Sequence, residues 1–163
     1  MNLRARIEKA IRDHDVPALE ALVAENPRAL RHLTSMTYDT DDGIRAAAAH
    51  AIARMAHHHP GQVSELVRRL VWAMNDESGT NSHTAPEVIL AIALEKPDLL
   101  LPMMPDLARL TADNGLRPVL LSAVRAVAER YPPSAWICSN REPGNRMALR
   151  NGERPRQRSG SHR

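Results

Sequence analysis

Asp76, Glu77, Ser78 and His83 stand close together in one segment, WAMNDESGTNSHTAPE, which starts at Trp72 and ends at Glu87. Carboxylates, a hydroxyl and an imidazole can hold a polar partner or move protons. Catalysis would need more than these groups. The chain has no G-x-S-x-G, no phosphate-binding glycine loop and no Cys/His pair in a family pattern. The segment therefore points to binding rather than reaction. The candidate patch is Trp72, Asn75, Asp76, Glu77, Ser78, His83 and Glu87, with no catalytic residue.

A structural reading of the same residues stands beside this one. Asn75 would end one helix and Gly79 would supply a positive φ. Thr84, with Glu87 three residues on, would form a capping box for the next helix. Asp76 and Glu77 would then point to water. Length favours binding: residues 75–84 are more than most helix–helix connections use. Trp72 has two readings as well, an apolar anchor beneath the loop or a ring on a contact surface.

His57, His58 and His59, ahead of Pro60, raise the question of a metal. Adjacent helical residues point in different directions, whereas zinc on a helix prefers an i, i+4 pair. No clustered carboxylate or second cysteine follows at ligand spacing. A helix C-terminus that favours cationic histidine explains them better, so neither metal nor cofactor is expected. Cys138 is the single cysteine and forms no intramolecular disulfide. Met103 and Met104, between two prolines, read as core filler.

The elements that carry these residues read as helices throughout. Leu3, Ile7, Ala10 and Ile11 form one stripe at helical spacing. Asp15 and Pro17 then open a short helix that ends near Asn26. A third helix follows Pro27. Asp41 and Asp42 open a longer one that stops at 57–60. The next runs from Gly61 to about Met74, with Val63, Leu66, Val67, Leu70 and Val71 inward. After the polar segment, APEVILAIALEK is helical, as is PDLLLPMMPDLARLTA, with prolines 102 and 105 confining its first turns. LRPVLLSAVRAVAERYP is the last. No stretch alternates at period two between hairpin turns, so no strand is expected.

Composition agrees. The 163 residues are 43% hydrophobic and 2% aromatic, with no Phe. Such a core is made of small aliphatic side chains at close range, which alanine-rich helices provide. Charge divides unevenly. Residues 137–163 hold seven arginines against two glutamates. That leaves seventeen acids against fifteen bases in residues 1–136. A folded domain over 1–136 and a basic tail over 137–163, disordered by composition, are expected. The charged start lacks the apolar stretch of a signal peptide. The longest apolar runs are too short to span a bilayer. A cytoplasmic protein without membrane contact is the expectation.

DDGIRAAAAHAIARMAHHHP (41–60) lies over DNGLRPVLLSAVRAVAERYP (113–132), and PEVILAIA fits between them. The three copies bring Ala51-Ile52, Ala91-Ile92 and Ala123-Val124 into register, with Asp41, Asn81 and Asp113 in the turns before them. One helix recurring with another ahead of it marks stacked hairpins, in which neighbours bury the stripe that none can bury alone.

The D-x-G-[I/L]-R opening and the later A-[I/V] pair resemble HEAT repeats of the phycobilisome-lyase type over roughly residues 30–132. The resemblance implies an all-α fold, a short right-handed α-solenoid of stacked helical hairpins. Residues 1–29 would be N-terminal helices or a degenerate repeat. Asn75-Asp76-Glu77-Ser78-Gly79 and Ala85-Pro86-Glu87 are similar to the loop of a group of small bacterial HEAT proteins. Thr80-Asn81-Ser82-His83 replaces that group's further glycines and tryptophan, and the group brings no assigned reaction. The implied function is protein–protein interaction or scaffolding, made by the second helices and the loop. The alternatives are an accessory enzyme, lyase-like or DNA-glycosylase-like, and weak non-specific nucleic-acid binding through the tail.

Overall fold

A computed structural model describes residues 1–76 and 84–138. Every regular element among the described residues is helical, and no strand occurs there. In order these are α1 (Leu3–Arg12), α2 (Val16–Glu25), α3 (Ala29–Met36), α4 (Asp42–His58), α5 (Pro60–Asn75) and α6 (Ala85–Glu95). A 3-10 segment (Pro97–Met103), α7 (Met104–Leu110), α8 (Arg117–Arg130) and α9 (Pro133–Cys138) follow. No described helix is long and apolar enough to cross a membrane.

Local chemistry sets most of the boundaries. Asn2 and Asp15 cap α1 and α2, accepting from the amides of Ala5 and Ala18 at 2.9 and 3.0 Å. Pro17 sits in the first turn of α2, where its missing N–H costs nothing. The α1–α2 turn is a Schellman motif closed by His14, at φ 53°, where glycine is usual. His14 donates its amide to Ile11 and Asp15 donates to Ala10.

The proline-rich stretch differs from the single helix expected of it. Residues 97–103 wind as a 3-10 helix with Pro102 inside it, and α7 starts afresh at Met104 with Pro105 in its first turn. A proline in an α-helix removes a hydrogen bond and clashes with the turn before it. Two of them three residues apart leave no α-helical register across 97–105. A second difference is α9, which the periodicity did not suggest. It runs two residues past the composition change at 136, and the Trp136 indole N–H donates to the Tyr131 carbonyl at 2.9 Å.

α2 packs on α4, α4 on α6 and α6 on α8. On the other side α1 lies against α3, and α5 against the 3-10 segment and α7. The buried positions show how the helices approach so closely. α4 buries Ala48, Ala49, Ala51, Ala53 and Ala56 around Ile52 and Met55, and α6 buries Ala85, Ala91 and Ala93 around Val88, Ile89 and Ile92. Each buried isoleucine or leucine contributes about 1.5–3 kcal/mol relative to exposure, and the alanines between them let the backbones close in. Ala51, Ile52, Ala91, Ile92 and Ala123 are all buried, as their shared register requires. Val124 is only partly buried. It lies on α8, the last described helix of that row. Thr37 is the only buried polar residue among those described, and its hydroxyl donates to the Thr34 carbonyl at 2.8 Å.

Candidate functional site

Trp72 lies on α5, a sixteen-residue helix whose Val63, Leu66, Val67, Leu70, Val71 and Met74 face the core. That stripe turns Trp72 outward, and its side of the helix also carries Glu65, Arg68 and Arg69. The residue is 71% exposed. The loop that an anchor would support, residues 77–83, lies outside the described residues. The core of α5 is complete without an aromatic ring, and the indole stands in water.

Asn75 is the last residue of α5. Its amide nitrogen donates to the Val71 carbonyl at 2.9 Å, satisfying a helix-end acceptor. Its amide oxygen accepts from Arg109 of α7 at 3.3 Å, while the same guanidinium nitrogen reaches Asp106 at 2.9 Å. Asn75 thus fastens the end of α5 to α7. Asp76 follows as the C-cap, with its amide donating to the Trp72 carbonyl at 3.2 Å. Glu87 is exposed in the first turn of α6, where an acid suits the helix dipole. Glu77, Ser78 and His83 lie outside the described residues, as do Gly79 and Asn81. Of the candidate patch, the structure places Trp72, Asn75, Asp76 and Glu87, and divides their work. Trp72 presents an unengaged apolar surface, whereas Asn75 is committed to holding helices together.

The capping box expected at the start of α6 is not formed. Thr84 has helical φ and ψ and makes no side-chain capping bond. An N-cap needs extended backbone to aim its hydroxyl at the amides two and three residues on. Thr84 is already helical, and Pro86 offers no amide.

The three histidines also separate. His57 Nε2 is 3.1 Å from a Glu95 oxygen on α6, and His59 Nε2 is 3.0 Å from the Ala24 carbonyl of α2. No cluster of three or more potential metal-ligating His, Cys, Asp or Glu exists among the described residues. Arg54 adds a bond of 2.9 Å to Glu20 of α2. α4 is therefore tied to its neighbours on both sides by polar links at the rim of an alanine-rich contact.

One feature escaped the sequence reading. α3 and α5 leave a groove of about 520 Å³ between them, lined by Pro27, Arg28, Leu30, Arg31, Thr34, Gln62, Glu65, Leu66 and Arg69. Arg28 and Arg31 share a face by their spacing of three, and that much was visible beforehand. What the sequence does not show is that Arg69 comes to face them from another helix. The groove runs between first helices of successive pairs, away from the second helices expected to make contacts.

No protein-family model, curated protein or solved structure matches the chain.

Proposed function

We propose that this chain is a protein-interaction or scaffold module of HEAT-repeat type, a short right-handed α-solenoid of stacked helical hairpins without catalysis of its own. The succession α2, α4, α6, α8, with first helices alongside, supports stacked hairpins. So does the repeated chemistry before α4 and α8. Asp41 accepts from the amides of Gly43 and Ile44 at 2.7 and 3.2 Å, and Asp113 from those of Gly115 and Leu116 at 2.7 and 3.1 Å.

The observation that carries the function is the exposure of Trp72. A lone indole on the outside of a well-packed helix adds nothing to folding, yet buried against a partner it is among the strongest contributors to binding. The second helices favour a protein partner as well. Leu94, 55% exposed, and half-buried Leu90 lie on the open side of α6. Nearby, Arg54 is paired with Glu20, and His57 Nε2 lies 3.1 Å from a Glu95 oxygen.

The test is affinity capture from the native host with wild type and Trp72→Ala, each checked for an unchanged thermal midpoint. Specific capture by wild type that is lost in the variant supports the reading. Equal capture by both would remove Trp72 from the site.

A further inference from the structure

The α3–α5 groove brings three cations from two helices against a single lining acid. Arg28 and Arg31 come from α3 and Arg69 from α5. None of the three makes an ion pair among the described residues, and neither do Arg6 and Arg12 of α1 or Arg117, Arg125 and Arg130 of α8, none of which lines this groove. Glu65, the single acid of the lining, is 3.7 Å from Arg68. Half-buried Leu30 gives the groove an apolar component, with only an edge of the buried Leu66. Residues 1–136 carry more acids than bases, yet three guanidinium groups without ion pairs line this one groove.

We propose that this groove docks an acidic, leucine-containing segment of a partner protein. The segment's carboxylates would be held by Arg28, Arg31 and Arg69, and an apolar side chain would lie on half-buried Leu30. Guanidinium suits this work because its planar fork takes a carboxylate through two parallel hydrogen bonds. Two features favour a peptide over nucleic acid. The basic residues are confined to one short groove, whereas a nucleic-acid backbone needs a row of phosphate contacts. Glu65 within the lining opposes a continuous line of phosphates, while a peptide can set an uncharged residue there. Trp72, one turn beyond Arg69 along α5, would extend the contact past the groove. This inference rests on the interaction-module reading and names the chemistry of the partner.

The experiment is fluorescence anisotropy with three labelled probes: a peptide repeating Glu-Leu-Asp-Gly, its charge-reversed counterpart repeating Lys-Leu-Arg-Gly, and a single-stranded deoxyoligonucleotide. Wild type should bind the acidic peptide and not the basic one. Arg31→Glu with Arg69→Glu should weaken binding by roughly tenfold, as expected when two exposed charge contacts become repulsions. Arg31→Gln with Arg69→Gln should give a smaller loss, and it replaces the reversal if circular dichroism shows the reversed protein misfolded. No binding of the acidic peptide at millimolar concentration, or equal binding by the arginine variants, overturns the proposal. So does an oligonucleotide that binds more tightly than the peptide and is lost in the same variants. If Trp72→Ala abolishes host capture while the arginine variants change nothing, the groove assignment alone falls. If neither affects capture, the interaction reading falls with it.

Discussion

Arg45 and Arg117 reach back over the turns that precede their helices in the same way. Arg45 Nη1 donates to the carbonyls of Asp39 and Thr40 at 2.9 and 3.3 Å. Arg117 donates to those of Thr111 and Ala112, through Nε at 2.8 Å and Nη2 at 3.3 Å. In both cases the acceptors lie six and five residues earlier. Between arginine and acceptors sits an aspartate over a glycine two residues on: Asp41, the N-cap of α4, or Asp113, which accepts from the amides of Gly115 and Leu116 just ahead of α8. A side chain from inside the helix thus closes the turn that leads into it. The recurrent Asp-x-Gly-x-Arg is a single folded unit rather than three separate preferences.

That unit makes a measurable coupling. Asp41→Ala should cost about 1 kcal/mol, the usual value of an N-cap. A β-carbon added at Gly43 would lie 3.1 Å from the Asp41 carboxylate oxygen, so Gly43→Ala should gain little from alanine's better helix propensity while the cap is present. With Asp41→Ala in place the same change should stabilise, towards the roughly 1 kcal/mol that separates Gly from Ala in a helix. A double-mutant cycle by urea denaturation should therefore be non-additive. Additive effects would show that the carboxylate does not set the need for glycine.

His14 provides a second test, of backbone strain. Its left-handed conformation costs an L-residue about 1–2 kcal/mol, whereas glycine at that position gives up about 0.5–1 kcal/mol of chain entropy. His14→Gly should stabilise by roughly the difference, about 0.5–1 kcal/mol, and raise the thermal midpoint. His14→Val should lower it. A glycine variant no more stable than wild type would contradict the φ of 53°.

The alanine contacts give a third. Ala51 and Ala123 are 2% and 1% exposed, on helices that pack to either side of α6. Ala51→Asp and Ala123→Asp should each cost several kcal/mol, because each would bury an unpaired charge. Ala51→Leu should cost about 1–3 kcal/mol by overpacking. Denaturation followed by circular dichroism reads all three. If both aspartate variants kept wild-type stability, the alanines would not be helix contacts.

Much of the helical order was legible because it is local. Asp15-Pro17 at the start of α2, the inward stripe of α5 and the paired Asp-x-Gly-x-Arg turns each need only a few neighbouring residues to be read. The split at 97–105 was less so, since prolines announce a disturbance without saying which backbone resolves it. The environments of Trp72 and Arg69 were not legible at all. A helical stripe says which positions are buried, but a residue off the stripe meets solvent, a neighbouring helix or a groove according to how helices align. Asn75 shows the same limit: its role in ending α5 follows from its position, whereas its bond to Arg109 depends on where α7 lies.

Trp72 and Asn75, three residues apart, should behave oppositely, and that contrast separates binding from scaffolding at the end of α5. Trp72→Ala removes a ring that is 71% exposed, and surface changes of this kind usually stay within about 0.5 kcal/mol. Asn75→Ala removes the bond to Val71 and the link to Arg109, and should cost about 1 kcal/mol. Thr84→Ala, across the loop, should be nearly neutral because no capping bond is lost. In partner capture the order should invert. Trp72→Ala should abolish it, while Asn75→Ala, assayed well below its lowered midpoint, should retain it. Loss of capture in Asn75→Ala under those conditions would place the polar end of the helix in the interface. A large loss of stability in Trp72→Ala would mean that the ring supports the fold after all, and would remove it as a binding residue.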